Sequence, residues 1–97
     1  MLPIIVKVKL LGVFRGLADI DQLPVEAVHP DVRSVIRTMI DHISEKGKSI
    51  PIDLESNDLR SNALLLLNGK EISVLKDLET EVNDGDELVI IPVVHGG

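Results

Sequence analysis

Hydrophobic and polar positions alternate with a period of two near the start of the chain. Residues 4–11 read Ile-Ile-Val-Lys-Val-Lys-Leu-Leu, so Val6, Val8 and Leu10 share one side and Lys7 and Lys9 the other. This predicts a strand with one buried face. Gly12 and Gly16 punctuate the next stretch, and Gly12 to Leu17 reads as a turn region. Residues 20–28 return as a second strand with Leu23, Val25 and Ala27 on one side. Pro24 has no N–H to give to a ladder, which places this strand at a sheet edge.

The period then changes. Val32, Val35, Ile36, Met39, Ile40 and Ile43 recur every three or four residues and form one apolar stripe on a helix. Pro30 suits its first turn, Asp31 complements the positive end of its dipole, and Lys46-Gly47 marks its stop. Residues 44–63 are less regular, with a short edge strand expected where Ile50, Ile52 and Leu54 alternate with polar residues and Pro51. Leu64-Leu-Leu-Leu67 reads as a buried strand and Asn68-Gly69 as a type I′ turn, with Ile72 to Leu75 as the short partner strand. Asp84-Gly85-Asp86 turns into a final strand over 87–93. One helix stripe covers one sheet face only, so the other stays open to water or to a partner.

Composition narrows the function. The 97 residues make one small domain, with Leu, Ile and Val supplying nearly all of its core and Phe14 its only aromatic ring. That lack of stacking platforms, with a net charge of −6, excludes direct nucleic-acid binding. The absence of Cys removes disulfides, a thiolate nucleophile and cysteine zinc sites. No apolar run is long enough for a membrane span and no secretory pattern opens the chain, so the expected location is cytoplasmic. His29, His42 and His95 lack metal-ligand spacing, and Gly12-Val-Phe-Arg-Gly16 lacks the Gly-Lys-Ser/Thr ending of a phosphate loop. No bound cofactor and no catalysis by the chain's own side chains are expected.

The sequence ends in His95-Gly96-Gly97. At a background glycine frequency of about 7%, two terminal glycines arise by chance in about 0.5% of chains. They present a carboxylate, ionised at pH 7, on a stalk slim enough for a narrow channel. A frayed end is the plainer alternative.

Several stretches resemble the β-grasp, ubiquitin-like sulfur carriers. This group includes the small subunit of molybdopterin synthase, the ubiquitin-related modifiers and the archaeal small modifiers. The matching stretches are Val6-Lys-Val-Lys-Leu-Leu-Gly12 with Phe14-Arg15, and Leu59-Arg60 followed by Leu64-Leu-Leu-Leu-Asn-Gly69. They continue with Val82-Asn-Asp-Gly-Asp-Glu-Leu-Val-Ile-Ile-Pro92 and end at Gly96-Gly97. Residues 44–63 are longer than in the shortest such carriers, and His95 is closer to the ubiquitin-related modifiers. The resemblance implies an α+β, β-grasp fold: a mixed four- to five-stranded sheet with one main helix on one face. It implies a domain over 1–94 and a flexible tail over 95–97.

The resemblance also implies a chemistry. A ubiquitin-activating-like enzyme would use ATP to adenylate the Gly97 carboxylate, and a sulfurtransferase would supply the sulfur that makes it a thiocarboxylate. The product would donate sulfur to a molybdopterin precursor, through the large subunit of molybdopterin synthase, or to a tRNA base. Alternatively, the activated carboxyl would form an isopeptide with a target-protein lysine. Gly96 and His95 would form the stalk. The chain would be a substrate of enzymes, or a non-catalytic subunit, and not a catalyst. A non-reactive interaction domain of the same fold is the other reading.

The last strand also implies a docking surface. If Leu88 and Ile90 join the core, Val89, Ile91 and Val93 face outward as an apolar patch beside the tail, where interaction sites are found. Glu79, Glu81, Asp84, Asp86 and Glu87 are placed to ring the patch and steer a basic partner, or else form an ordinary solvated surface.

Overall fold

Alternating burial builds the sheet. The computed structural model describes residues 2–52 and 63–93. In it, β1 (Ile5–Leu10) buries Val6, Val8 and Leu10 and turns Lys7 and Lys9 to the other face. β2 (Gln22–Glu26) runs antiparallel to β1 and buries Leu23 and Val25. β3 (Ala63–Leu67), β4 (Lys70–Glu71) and β5 (Glu87–Pro92) complete a mixed five-stranded sheet in the order β2-β1-β5-β3-β4. β5, late in the sequence, therefore lies at the centre, parallel to β1 and antiparallel to β3. Leu88 and Ile90 on it are fully buried.

Among the described residues two α-helices accompany the sheet, α1 (Gly12–Ala18) and α2 (Val32–Glu45). α2 covers the buried face. Val32, Val35, Ile36, Met39 and Ile43 of its stripe join the core, while Ile40 packs at the margin. Asp31 is the N-cap: its carboxylate accepts the Ser34 N–H at 2.8 Å, and the Ser34 hydroxyl accepts the His29 N–H at 3.0 Å. At the other end Gly47, at φ +74°, lets Lys48 donate to the Ile43 carbonyl at 3.2 Å.

Some expectations change. Gly12 to Leu17 is part of helix α1 and not a bare turn. Leu10, Phe14 and Ala18 recur every four residues, and burying the Phe14 ring drives the segment helical despite its glycines. Ile72 to Leu75 is not a strand. The partner strand ends at Glu71, and Ile72–Val74 forms a 3-10 turn that drops Ile72 into the core. A second such turn, Asp77–Glu79, buries Leu78 and is tied by Thr80, whose hydroxyl accepts the Lys76 N–H at 3.0 Å and donates to the Asp77 carbonyl at 2.7 Å. The leucine run of β3 is not buried throughout: Ala63, Leu65 and Leu67 are, while Leu64 and Leu66 lie half-open on the other face. Ile52 joins the core and Ile50 packs against it without either forming a strand, and Leu54 lies outside the described residues.

The turns form as their residues require. Asn68 and Gly69 sit at φ +50° and +85°, as a type I′ hairpin needs. The Asn68 side chain then clamps β3 to the approach of β5. Its Nδ2 donates to Asp86 at 3.0 Å and its Oδ1 accepts the Glu87 N–H at 3.0 Å. Pro24 lies in the edge strand β2. Leu10 donates to Asp21 and Ala27 to Ile4, so in this register the backbone groups of Leu23 and Val25 face β1 while those of Pro24 face outward. The missing N–H costs the sheet nothing and interrupts the outer row of donors.

Gly12 and Gly16 respond oppositely to alanine. Gly12 is at φ +57°, and a Cβ there would stand 2.9 Å from the Pro92 ring. Gly12→Ala destabilises by about 1–3 kcal/mol. Gly16 is helical with nothing within 4 Å, so Gly16→Ala stabilises by about 0.5–1 kcal/mol. Urea melts of the two variants check both signs.

Candidate functional site

The face of the sheet away from α2 is the candidate site. Strand registers assemble it row by row. Val89 on β5 stands beside Leu66 of β3 on one side and Lys9 of β1 on the other. Ile91 stands beside Leu64, and Glu71 of β4 flanks Leu66. Leu64, Leu66, Val89, Ile91 and Val93 are all half-buried. Val89 and Ile91 thus share the half-open face with Leu64 and Leu66, and half-buried Val93 follows the end of the strand. A featureless leucine quartet gives no sign of which members point outward; only the strict alternation of a one-sided sheet assigns them.

The acidic cluster does not ring this patch. β5 rises about 3.3 Å per residue, so its Glu87 end lies about 20 Å from Val93. Asp84 and Asp86 belong to the far end and serve the backbone there. Asp84 accepts the Ile5 N–H at 2.8 Å, and Asp86 accepts the Asn83 N–H at 2.8 Å. Glu79 binds Arg33 of α2 at 3.1 Å, and the backbone of Glu81 forms an isolated antiparallel β-bridge with that of Asp31 at the start of α2. Of the five, Glu87 alone has its side chain tied to the open face, pairing with Lys9 at 3.4 Å. Both partners are well exposed, so the pair contributes about 0–1 kcal/mol.

The tail-proximal end of β5 is apolar instead. Pro92 touches Gly12, and the Leu11 N–H donates to the Ile90 carbonyl at 3.1 Å, which seats the start of α1 against the exit of the strand. Leu11, Val13 and Leu17 are exposed there, at 41%, 58% and 43%. Reading Gly12 to Leu17 as a turn hides this second apolar surface; the Leu10, Phe14, Ala18 spacing is the signal that reveals it. His95, Gly96 and Gly97 lie outside the described residues. His29 and His42 are exposed, and among the described residues no group of His, Asp and Glu could hold a metal ion. No helix among them is long and apolar enough to cross a membrane.

Known proteins share this geometry. The ThiS family model matches residues 8–97. The small archaeal modifier protein 1 of Methanosarcina acetivorans superposes with a TM-score of 0.75 at 29% identity, covering 100% of both chains. Urm1 of Sulfolobus solfataricus gives 0.58 at 28% identity, covering 90% of this chain and 99% of its own. A chain of the BexX/CysO complex of Amycolatopsis orientalis gives 0.65 at 25% identity, covering 95% and 99%. Among curated proteins there is no match.

The two faces of β5 differ in what they tolerate. Leu88→Ala opens a cavity in the core and costs about 2–5 kcal/mol. Val89→Thr, on the open face, costs about 0–1 kcal/mol. Denaturant unfolding of the pair measures the difference.

Proposed function

The chain belongs to the ThiS family of ubiquitin-like β-grasp sulfur carriers, and on that premise we propose that its terminal Gly97 carboxylate is the group that reacts. The family match running through Gly96 and Gly97 supports this most directly. Members of the family are small carrier proteins, and other proteins perform the catalysis. A carboxylate is a poor acyl donor until one of its oxygens joins a good leaving group. An activating enzyme of the ubiquitin-activating type positions ATP for attack by the carboxylate oxygen on the α-phosphorus, and pyrophosphate leaves. Hydrosulfide then attacks the acyl carbon and AMP departs, leaving the thiocarboxylate.

The body serves as the handle. Val89, Ile91 and Val93, with Leu64 and Leu66, offer the partner an apolar floor beside the tail. The carrier then hands sulfur to a small-molecule precursor on a molybdopterin-synthase-type large subunit, or to a tRNA base held by another enzyme. Acylation of a target lysine is the alternative fate of the same activated carboxyl. His95 and Gly96 form the stalk that enters the channel. The protein works in the cytoplasm, where ATP and the activating enzyme are found.

Intact mass tests the reading. Incubation with ATP, an adenylating enzyme from the same source and sulfide is expected to add about 16 Da by exchange of oxygen for sulfur. Deleting Gly96 and Gly97 is expected to abolish the gain and leave the melting temperature within about 2 °C of the parent. No gain with an enzyme that activates another carrier would leave a non-reactive interaction domain. Lysine conjugates in cell extract would mark the modifier branch.

A further inference from the structure

α1 carries a glycine that the fold does not use. Gly16 lies within the helix, where a glycine costs about 1 kcal/mol relative to alanine. Its φ is ordinary and no atom stands within 4 Å of where its Cβ would be. Gly12 in the same helix is explained by positive φ and by Pro92; Gly16 is explained by neither. A position where the missing side chain helps nothing inside suits close approach by something outside.

The helix wheel shows what surrounds it. At 100° per residue, Phe14 and Ala18 point inward and Gly16 stands at the crest. Val13 and Leu17 lie on one flank and Arg15 on the other. The outer side is thus a smooth ridge with an apolar shoulder and a cationic one. Among the described residues Arg15 makes no ion pair, and the Asp84–Asp86 turn is at the opposite end of β5.

Reach ties this ridge to the tail. Four residues follow Val93, and fully extended they span at most about 14 Å. An enzyme that takes the Gly97 carboxyl into a reaction centre must therefore press its channel mouth around Pro92 and Val93. α1 begins against Pro92 and is about 10 Å long, so it lies inside that contact ring. Leu11 joins the two, because its N–H donates to the Ile90 carbonyl at 3.1 Å, one residue before Ile91.

We propose that the outer side of α1 is a second grip for the activating enzyme, seating an apolar surface against Gly16, Val13 and Leu17 with a carboxylate opposite Arg15. This rests on the activation reading above and adds to it which side of the body the enzyme holds. The partner is thereby complementary to an apolar ridge that carries one cationic side chain on its flank.

ATP-dependent activation at varied carrier concentration tests it, with purified adenylating enzyme from the same source. Gly16→Gln should leave the fold at least as stable, yet raise the concentration for half-maximal activation about tenfold. Arg15→Glu should do the same and reverse the sign of the salt dependence. A Val13→Ser/Leu17→Ser double variant should weaken activation similarly, while Val74→Ser, apolar and more exposed but on the 3-10 turn after β4, should not. Wild-type activation by Gly16→Gln and Arg15→Glu would overturn the α1 grip and leave the carrier function standing. A wild-type chain that the enzyme neither binds nor activates would overturn both.

Discussion

The insertion of β5 between β1 and β3 is the constraint on which everything else depends. The strand is hydrogen-bonded on both sides and sends Leu88 and Ile90 into the core. Burial of such side chains is worth about 1.5–3 kcal/mol each. The same alternation leaves Val89 and Ile91 on the face that α2 does not cover. One strand therefore supplies the centre of the core, the middle of the open apolar face and the base of the C-terminal segment. α1 is drawn into this arrangement by Pro92, against which Gly12 packs.

Much of this is legible from periodicity. The two-residue alternation of β1, the edge placement of Pro24, the apolar stripe of α2 and the inward pair Leu88 and Ile90 all follow from residue spacing. The failures have physical causes. Two glycines suggest a turn, but Phe14 gains enough from burial to hold α1. Ile72 and Leu75 are three apart, which suits a 3-10 turn as well as a strand of alternate phase, and only the geometry at the end of β4 decides. Four leucines in a row carry no alternation to read, so the sidedness of β3 comes from its neighbours. Spacing puts Val89 and Ile91 on one face of the strand; that Leu64 and Leu66 stand beside them is not legible in the sequence.

Charge is the least legible property. Glu79, Glu81, Asp84, Asp86 and Glu87 are close in sequence but are divided among the α2 side, a turn and the open face. Asp84 and Asp86 hold backbone N–H groups where the chain enters β5. Their role there is to fix the turn, at the opposite end of the strand from the apolar exit. The body is thus polarised along β5, with carboxylates at its start and hydrocarbon at its finish.

That placement of β5 also has a mechanical meaning. A pull on the end of the chain runs along the strand and loads its ladders with β1 and β3 in shear, many bonds at once, instead of peeling them singly. Forced unfolding is governed by the rate of crossing that barrier and not by equilibrium stability. An engine that draws proteins through a pore from this end would meet its stiffest resistance at the first strand, so the body would tend to survive tension transmitted through its C-terminal segment.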